Sequence, residues 1–257
     1  MKRTAKIAMS VLLMAAMAIS AIGCKKEGGS NGSTSSGADT KKGEGVMTYA
    51  EYEAAAIDSQ VTVETYVQAK QGWWENDGVG NATFYTQDAD GAYFLYNMPC
   101  TQAEYDKLTT GTKIKVTGYK SEWSGEVEIV DATFEIEDGN YVASPLDVTD
   151  KLASADLIKY QNMFVSFKDM TVEAISDDGS AFLYSWDGSG SQGDDLYFKG
   201  SSNGQTYTFT VESYLTGSDT AVYKAVEGLK AGDKVDMEGF LYWYEGVNPH
   251  ITNVTVK

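Results

Sequence analysis

The chain has 257 residues, 42% of them hydrophobic, and a formal net charge of −17 at pH 7. Residues 46–257 hold 34 of the 37 acidic residues but only 13 of the 20 basic ones, and the only arginine is Arg3. A negative charge of this size repels polyanions, which disfavours nucleic acid as a partner. The single histidine, His250, excludes a zinc site built on several histidines.

The first residues are typical of a secretory signal, because a basic start precedes the apolar stretch IAMSVLLMAAMAISAIG. The end of this stretch, AIGC, resembles the lipobox of bacterial lipoproteins, with Ala21 in place of the family's usual Leu. The resemblance implies cleavage before Cys24 and attachment of lipid to its thiol. We therefore expect a signal peptide at residues 1–23 and a lipid-anchored protein at the cell surface or the periplasmic face of a membrane. The alternative is an ordinary secretory signal followed by an incidental cysteine.

The segment after Cys24 is Gly/Ser-rich and contains no large apolar residue up to residue 45. Such a segment cannot bury a core, so residues 24–46 are predicted to form a flexible tether with a reach of about 25 Å. If Cys24 carries lipid, Cys100 has no disulfide partner. We expect Cys100 to be a small buried hydrophobic residue.

The next hundred residues predict a mostly β domain. A short helical stretch, TYAEYEAAA, is followed by the alternating strand QVTVETYVQA and by NATFYTQDADGAYFLYN. In the last of these, Asp90 and Gly91 separate two aromatic-rich runs, which indicates a hairpin. Thr101 and Glu104 then form a capping box that opens a short helix. The alternating strands KIKVTGY and EVEIVDATFEI complete the order of one strand, a hairpin, a helix and two strands.

The second half follows the same order with longer insertions, after a boundary at Ser144–Pro145 and the helical stretch DVTDKLASADL. Its predicted strands are NMFVSFKDMTVEAI, SAFLYSW with DLYFKG, TYTFTVES, DKVDMEGFLYWY and HITNVTV. The segment SDTAVYKAVEGL supplies the helix. The repeat also shows in equal intervals between four positions, which match in the pairs Leu108 and Leu229, Gly111 and Gly232, Gly118 and Gly239, and Gly125 and Gly246.

This order of elements is that of the OB-fold, a five-stranded barrel. Both copies contain the pattern L-x-x-G-x-K-[IV], followed by a second Gly seven residues after the Gly of the pattern. On this pattern the chain resembles secreted and lipid-anchored bacterial OB-fold proteins over most of residues 47–257. We therefore predict an all-β protein with short helices: two tandem five-stranded OB-fold-like barrels, at 47–143 and 144–257, behind the lipoprotein signal and tether. The alternative is a single β-sandwich of ten strands.

The OB-fold resemblance places a ligand across the second and third strands of a barrel, between two loops. In the first barrel these loops are QGWWENDGVG and KSEWSGEV. Exposed aromatic rings beside acidic groups suit the stacking of sugar rings, so we predict a non-catalytic protein that binds carbohydrate or another neutral polymer. The candidate stacking residues are Trp73, Trp74, Trp123, Tyr85 and Tyr93, and the candidate hydroxyl acceptors are Glu75, Asp77 and Glu122.

The competing interpretation of these aromatic residues is that they close the barrel ends as part of the core. Since neighbours on a strand point in opposite directions, at least one of Trp73 and Trp74 should face outward. The second barrel, with Trp186 and the segment LYWYEG, could bind the same ligand or merely support the first barrel.

Two further kinds of partner remain open. The protein could be an adaptor that binds another protein through sheet edges or acidic faces. It could also bind single-stranded nucleic acid along Lys113, Lys115 and Lys120. The second alternative is less favoured, because residues 47–143 hold five lysines against seventeen acidic residues and no arginine.

The Gly-rich stretch SWDGSGSQGDD offers Asp187, Asp194 and Asp195 as ligands for a structural calcium ion. It does not complete the EF-hand spacing, and turn chemistry explains the same residues. We expect no other cofactor. His250 matches Glu128 in the first copy, so it is interpreted as a surface residue on a β-strand rather than a catalytic base, and no enzyme activity is expected.

Overall fold

The structure, a computed structural model, describes residues 41–257. The predicted signal peptide, the predicted lipidation site Cys24 and most of the predicted tether lie outside these residues. None of the helices in the described part of the chain is long and apolar enough to cross a membrane.

The first sheet closes into a barrel of five strands. Its elements, with the helices that accompany them, are α1 (Tyr49–Ala54), β1 (Gln60–Lys70), β2 (Trp74–Asn76), β3 (Val79–Gln87), β4 (Ala92–Pro99), α2 (Gln102–Lys107), β5 (Thr112–Trp123) and β6 (Glu126–Asn140). The strands follow the order β1-β5-β6-β4-β3, β3 pairs back with β1, and β2 extends the sheet beyond β3. The pairing of β4 with β6 is parallel, and the other pairings are antiparallel.

The second sheet repeats this topology. Its elements are β7 (Leu146–Asp147), β8 (Phe164–Glu173), β9 (Phe182–Tyr184), β10 (Leu196–Ser202), β11 (Gln205–Val211), α3 (Ala221–Glu227), β12 (Lys234–Phe240) and β13 (His250–Val256). The barrel strands follow the order β8-β12-β13-β11-β10, β10 pairs back with β8, and β11 pairs in parallel with β13. Both barrels have the OB-fold order, so the predicted fold is confirmed and the described residues do not form a single sandwich.

The matched glycines of the repeat do the same work in each barrel. Gly111 and Gly232 have φ angles of +92° and +97°, which favour glycine because it has no Cβ. Their N–H groups donate to Val67 and Val172, at 2.7 and 2.8 Å, on the first strand of their own barrel. The turn before the fourth barrel strand therefore requires glycine in both copies.

Gly118 and Gly239 lie where the fourth and fifth barrel strands shift register. A Cβ on Gly118 would lie 2.8 Å from the carbonyl oxygen of Val130, and one on Gly239 would lie 2.2 Å from that of His250. Glycine permits this close approach of two backbones at a bulge.

The helix caps and the hairpin have the positions that local sequence patterns indicate. Capping boxes begin α1, with Thr48 and Glu51, and α2, with Thr101 and Glu104. The predicted hairpin joins β3 to β4, where the Asp88 carboxylate accepts the N–H groups of the two turn residues that follow. The helical stretch before the second barrel forms two 3-10 helices, at Thr149–Lys151 and Ala155–Tyr160.

The end of the predicted tether contacts the first barrel. Lys42 Nζ lies 2.5 Å from the carboxylate of Asp88, which is buried, and 3.2 Å from the carbonyl oxygen of Glu64. The N–H of Gly43 donates to the Glu64 carboxylate. Because a buried carboxylate is stabilised by a charged partner, residues 42–46 belong with the barrel rather than with the tether.

Each barrel has its own core, and a third apolar cluster joins them. Tyr85 and Phe94 of the first barrel pack with Phe240 of the second. The partly buried residues around this cluster are Ala69, Phe164, Leu215 and Tyr242.

Candidate ligand-binding site

The predicted ligand face of the first barrel is covered by the second barrel. On this face Phe84 and Leu95 point into the barrel core, so their neighbours Tyr85 and Phe94 point outward. Tyr85 stacks on Phe240 with ring centroids 4.4 Å apart, and Phe94 meets the ring of Tyr242 at 5.4 Å. The surface between the two predicted loops is therefore an interface between barrels.

Tyr85 is fully buried, which corrects its prediction as a stacking residue for a ligand. Its hydroxyl is hydrogen-bonded to Nδ1 of His250 at 2.8 Å, and the His250 ring stacks on Tyr242 at 4.3 Å. Burial lowers the pKa of His250 to about 3, so the imidazole is neutral at physiological pH. His250 is therefore buried at the contact between the barrels, which corrects its prediction as a surface residue of a strand.

Tyr93 is also fully buried, in the core of the first barrel, and its prediction as a ligand contact is corrected for the same reason. Its ring meets the edges of Tyr49 and Tyr52 at 5.5 and 4.9 Å. Its hydroxyl donates to the carboxylate of Asp88 at 3.4 Å.

One tryptophan of the pair faces outward, as predicted, but strand alternation is not the reason, because Trp73 lies just before β2 and only Trp74 belongs to it. Trp73 is half-buried against the core and donates its Nε1–H to the carbonyl oxygen of Cys100 at 3.0 Å, while Trp74 is 43% exposed. Glu75 and Asp77 are exposed, and Asp77 (φ +51°) forms the turn of a β2–β3 hairpin with the glycine after it. The Asp-Gly pair in ENDGVG is the signal that predicts this hairpin, and the sequence analysis missed it.

Trp123 and Glu122 are exposed at the end of β5. The turn that follows is tied to the second barrel, because Ser124 accepts the N–H of Glu245 at 2.7 Å. The structure therefore leaves five of the eight predicted residues exposed, on two separate loops, and the strands between those loops are occupied by the second barrel.

Of the three lysines predicted as a nucleic-acid surface, Lys115 is partly exposed and the other two are buried. Lys113 is buried between the carboxylates of Glu64 and Glu137, with both N–O distances 3.1 Å. Lys120 is buried as well, and its ammonium donates to three carbonyl oxygens at the end of α1, each at 2.9 Å. Both charges stabilise the barrel and are not available to a phosphate backbone.

The calcium candidates serve as turn residues. Within residues 41–257, no group of three or more His, Cys, Asp or Glu side chains could hold a metal ion. Each candidate carboxylate accepts a backbone N–H, in the pairs Asp187 from Ser189, Asp194 from Ser191, and Asp195 from Ser213.

The second barrel keeps its ligand face open. A cleft of about 400 Å³ lies on the outer surface of β10 and β11, between the loop that follows β8 and the loop that joins β12 to β13. These are the positions at which OB-folds bind ligands. The cleft is lined by Ile175, Leu183, Trp186, Tyr197, Lys199, Thr208, Tyr244, Val247 and Asn248.

Strand alternation explains how the cleft is built. Along β10, Leu196 and Phe198 are buried in the core, so Tyr197 and Lys199 point outward. The two flanking loops add Trp186, which is 77% exposed, and Tyr244, which is 49% exposed. Three aromatic rings thus surround the cleft.

The charge around the cleft is mixed. The ammonium of Lys199 has no hydrogen-bond or ion-pair partner among the residues that the structure describes. Burial, with the nearby carboxylates of Asp195 and Glu212, raises the pKa of Tyr197. Burial and the charge of Asp195 raise the pKa of Glu212 to about 7. Lys199 is therefore the one charged residue among those that line the cleft, and two carboxylates lie near enough to Tyr197 to affect its pKa.

The sequence analysis missed Tyr197 and Lys199, although the repeat could have found them. Applying the rule for the ligand face to the second copy places them on its second strand. What the repeat does not show is which of the two faces remains open.

No protein-family model matches the chain, and no curated protein matches it in sequence. Solved structures that resemble it include the HINb domain of p204, at 10% identity and a TM-score of 0.36, over 79% of this chain and all of that one. The HINa domain of Ifi202 in complex with 20-bp double-stranded DNA has 12% identity and a TM-score of 0.34, over 77% and 98%.

A deletion mutant of the single-stranded DNA-binding protein from Thermus aquaticus has 14% identity and a TM-score of 0.25, over 77% of this chain and 93% of that one. At these TM-scores the likeness supports no conclusion about the ligand. The assignment of the fold rests on the strand order of the two barrels.

Proposed function

We propose that the protein is a non-catalytic binding protein, held outside the cytoplasm by lipid on Cys24, that binds a neutral polymer such as an oligosaccharide. The observation that carries the proposal is the open cleft of the second barrel, with Trp186, Tyr197 and Tyr244 around it. Exposed apolar side chains that are grouped, as these rings are around one cleft, mark binding sites, and a stacked ligand would remove the 77% exposed ring of Trp186 from water.

The charges of the cleft favour a neutral ligand. Affinity for a phosphate backbone comes from several cations acting together, and this cleft offers Lys199 alone. A hydroxyl group of a sugar can instead accept a hydrogen bond from the Lys199 ammonium, and this needs no second cation.

A second candidate is single-stranded nucleic acid, which one observation favours. The free ammonium of Lys199 lies beside stacking rings, and single-strand binders combine these two elements. Salt separates the two candidates, because binding of a polyanion weakens steeply as salt rises and binding of a neutral polymer does not.

The test is isothermal titration of the purified full chain with malto-, cello- and chitohexaose and with oligo(dT), each at 50 and 200 mM salt. We expect saturable binding of at least one hexasaccharide that changes little with salt. Trp186→Ala should weaken it at least tenfold. Trp74→Ala removes a similar exposed ring from the first barrel and should leave it unchanged.

Three results would contradict the proposal. Binding of oligo(dT) alone, lost at the higher salt and in Lys199→Gln, would establish the nucleic-acid candidate. Loss of sugar binding in Trp74→Ala but not in Trp186→Ala would move the site to the first barrel. Silence with every polymer would leave a protein partner as the explanation for the exposed rings.

A further inference from the structure

We propose that the cleft of the second barrel continues onto the first barrel, so that one neutral polymer chain is bound by both. This inference rests on the proposed function and extends it from a single cleft to a longer ligand path. The crossing point is where the β5–β6 turn of the first barrel meets the β12–β13 loop of the second.

The two loops are held together at three points. The carbonyl oxygen of Ser124 accepts the N–H of Glu245 at 2.7 Å. The Glu126 carboxylate accepts the N–H of Trp243 at 2.9 Å. Gly125 packs on the Trp243 ring, since a Cβ there would lie 3.0 Å from the ring. The loops are therefore fixed relative to each other before any ligand arrives.

An exposed ring stands on each side of this junction. Tyr244, at the lip of the cleft, precedes Glu245, and Trp123 precedes Ser124. They are 49% and 46% exposed. From the 2.7 Å hydrogen bond and standard backbone lengths, their Cα atoms are at most about 14 Å apart. The two residues are thus close enough in the backbone for a single polymer chain to span both of them.

The charge at the junction selects the kind of polymer. Glu122 and Glu245 are both exposed beside the two rings. Lys120, three residues before Trp123, is buried and already donates to three carbonyl oxygens. A phosphate backbone would meet two carboxylates here without a compensating cation, whereas sugar hydroxyls can donate to them.

The consequence is a dependence of affinity on ligand length. A disaccharide fills part of the cleft and does not reach the first barrel. A hexasaccharide that passes Tyr244 gains the ring of Trp123, and the contact costs little extra ordering because the loops are already joined.

The experiment measures Kd by isothermal titration of the full chain with di- and hexasaccharides of the malto, cello and chito series. The variants are Trp123→Ala, Trp123→Tyr, Trp186→Ala and the matched control Trp74→Ala. We expect Trp123→Ala to weaken the hexasaccharide at least fivefold and to leave the disaccharide unchanged. Trp123→Tyr, which keeps a stacking ring, should recover most of the loss, and Trp74→Ala should have no effect.

The outcomes separate this inference from the proposed function. If Trp186→Ala weakens the binding of both the disaccharide and the hexasaccharide and Trp123→Ala weakens neither, the path onto the first barrel is refuted, while binding in the cleft of the second barrel is supported. If Trp123→Ala weakens both lengths equally, the ring supports the loops rather than a longer ligand, and the crossing is refuted as well. If no sugar binds the unaltered chain, the proposed function and the inference fail together.

Discussion

Replacing Tyr85 by Phe removes a single hydroxyl from the contact between the two barrels. This hydroxyl is buried and hydrogen-bonded to Nδ1 of His250 at 2.8 Å. The variant keeps the ring stack on Phe240, so it isolates the hydrogen bond from the packing.

The loss of stability in Tyr85→Phe comes from the polar atom that remains without a hydrogen-bond partner. His250 is buried and neutral, and its Nδ1 loses its partner in the variant. A buried polar group without a partner costs about 1–3 kcal/mol, which is the destabilisation we expect. Tyr85→Ala also removes the stacked ring and leaves a cavity, so we expect a loss of about 3–5 kcal/mol.

Urea unfolding followed by far-UV circular dichroism measures both changes as shifts in midpoint. The matched control is Tyr96→Phe, because Tyr96 is 43% exposed and should change stability by less than about 0.5 kcal/mol. Equal midpoints for Tyr85→Phe and Tyr96→Phe would refute the argument, since they would show that the Tyr85 hydroxyl is not buried against the second barrel.

Three other predictions concern single sites. Burial raises the pKa of Glu212 to about 7, so the contribution of this group to stability is complete below pH 4.5 and is lost as pH rises through 7. The free energy of unfolding of the unaltered chain should therefore fall by about 3 kcal/mol on this account between pH 4.5 and 8. Glu212→Gln does not titrate, so urea unfolding of this variant should lack that loss. Equal pH profiles would show that Glu212 is solvated. Gly239→Ala places a Cβ 2.2 Å from a carbonyl oxygen of β13 and, in thermal unfolding, should lower the free energy of unfolding by about 1–3 kcal/mol or more. In Gly72→Ala the new Cβ has no such close neighbour, so this variant should unfold at the same temperature as the unaltered chain. Burial raises the pKa of Cys100 to about 11, so iodoacetamide at pH 8 should modify it only after urea is added, and rapid reaction in buffer would place the thiol at the surface.

Most of the fold could be predicted because its signals are local. Alternating strands, the capping boxes at Thr48 and Thr101 and the hairpin at Asp90 depend on a few neighbouring residues, and the structure has each of them. The equal spacing of Gly111 and Gly232 in the two copies marks a turn with a positive φ angle at the same place in each barrel. The repeat then extended one copy's topology to the other.

The candidate site could not be predicted in the same way. Nothing near Tyr85 in the sequence distinguishes a ring that stacks on a ligand from one that stacks on Phe240, because the two partners lie 155 residues apart and belong to different barrels. The same holds for Lys120, whose charge is satisfied by carbonyl oxygens of α1 rather than by a ligand.

The sequence by itself determined the two OB-fold barrels, since periodicity, caps and glycine positions act within short segments. Only the tertiary structure decided that the first barrel's ligand face is buried and that the second barrel's cleft, with Trp186 and Tyr244, is open. The physical reason is that an apolar strand face lowers its free energy by leaving water, whether it meets a ligand or another domain. Which of these covers it depends on contacts between barrels that no local pattern encodes.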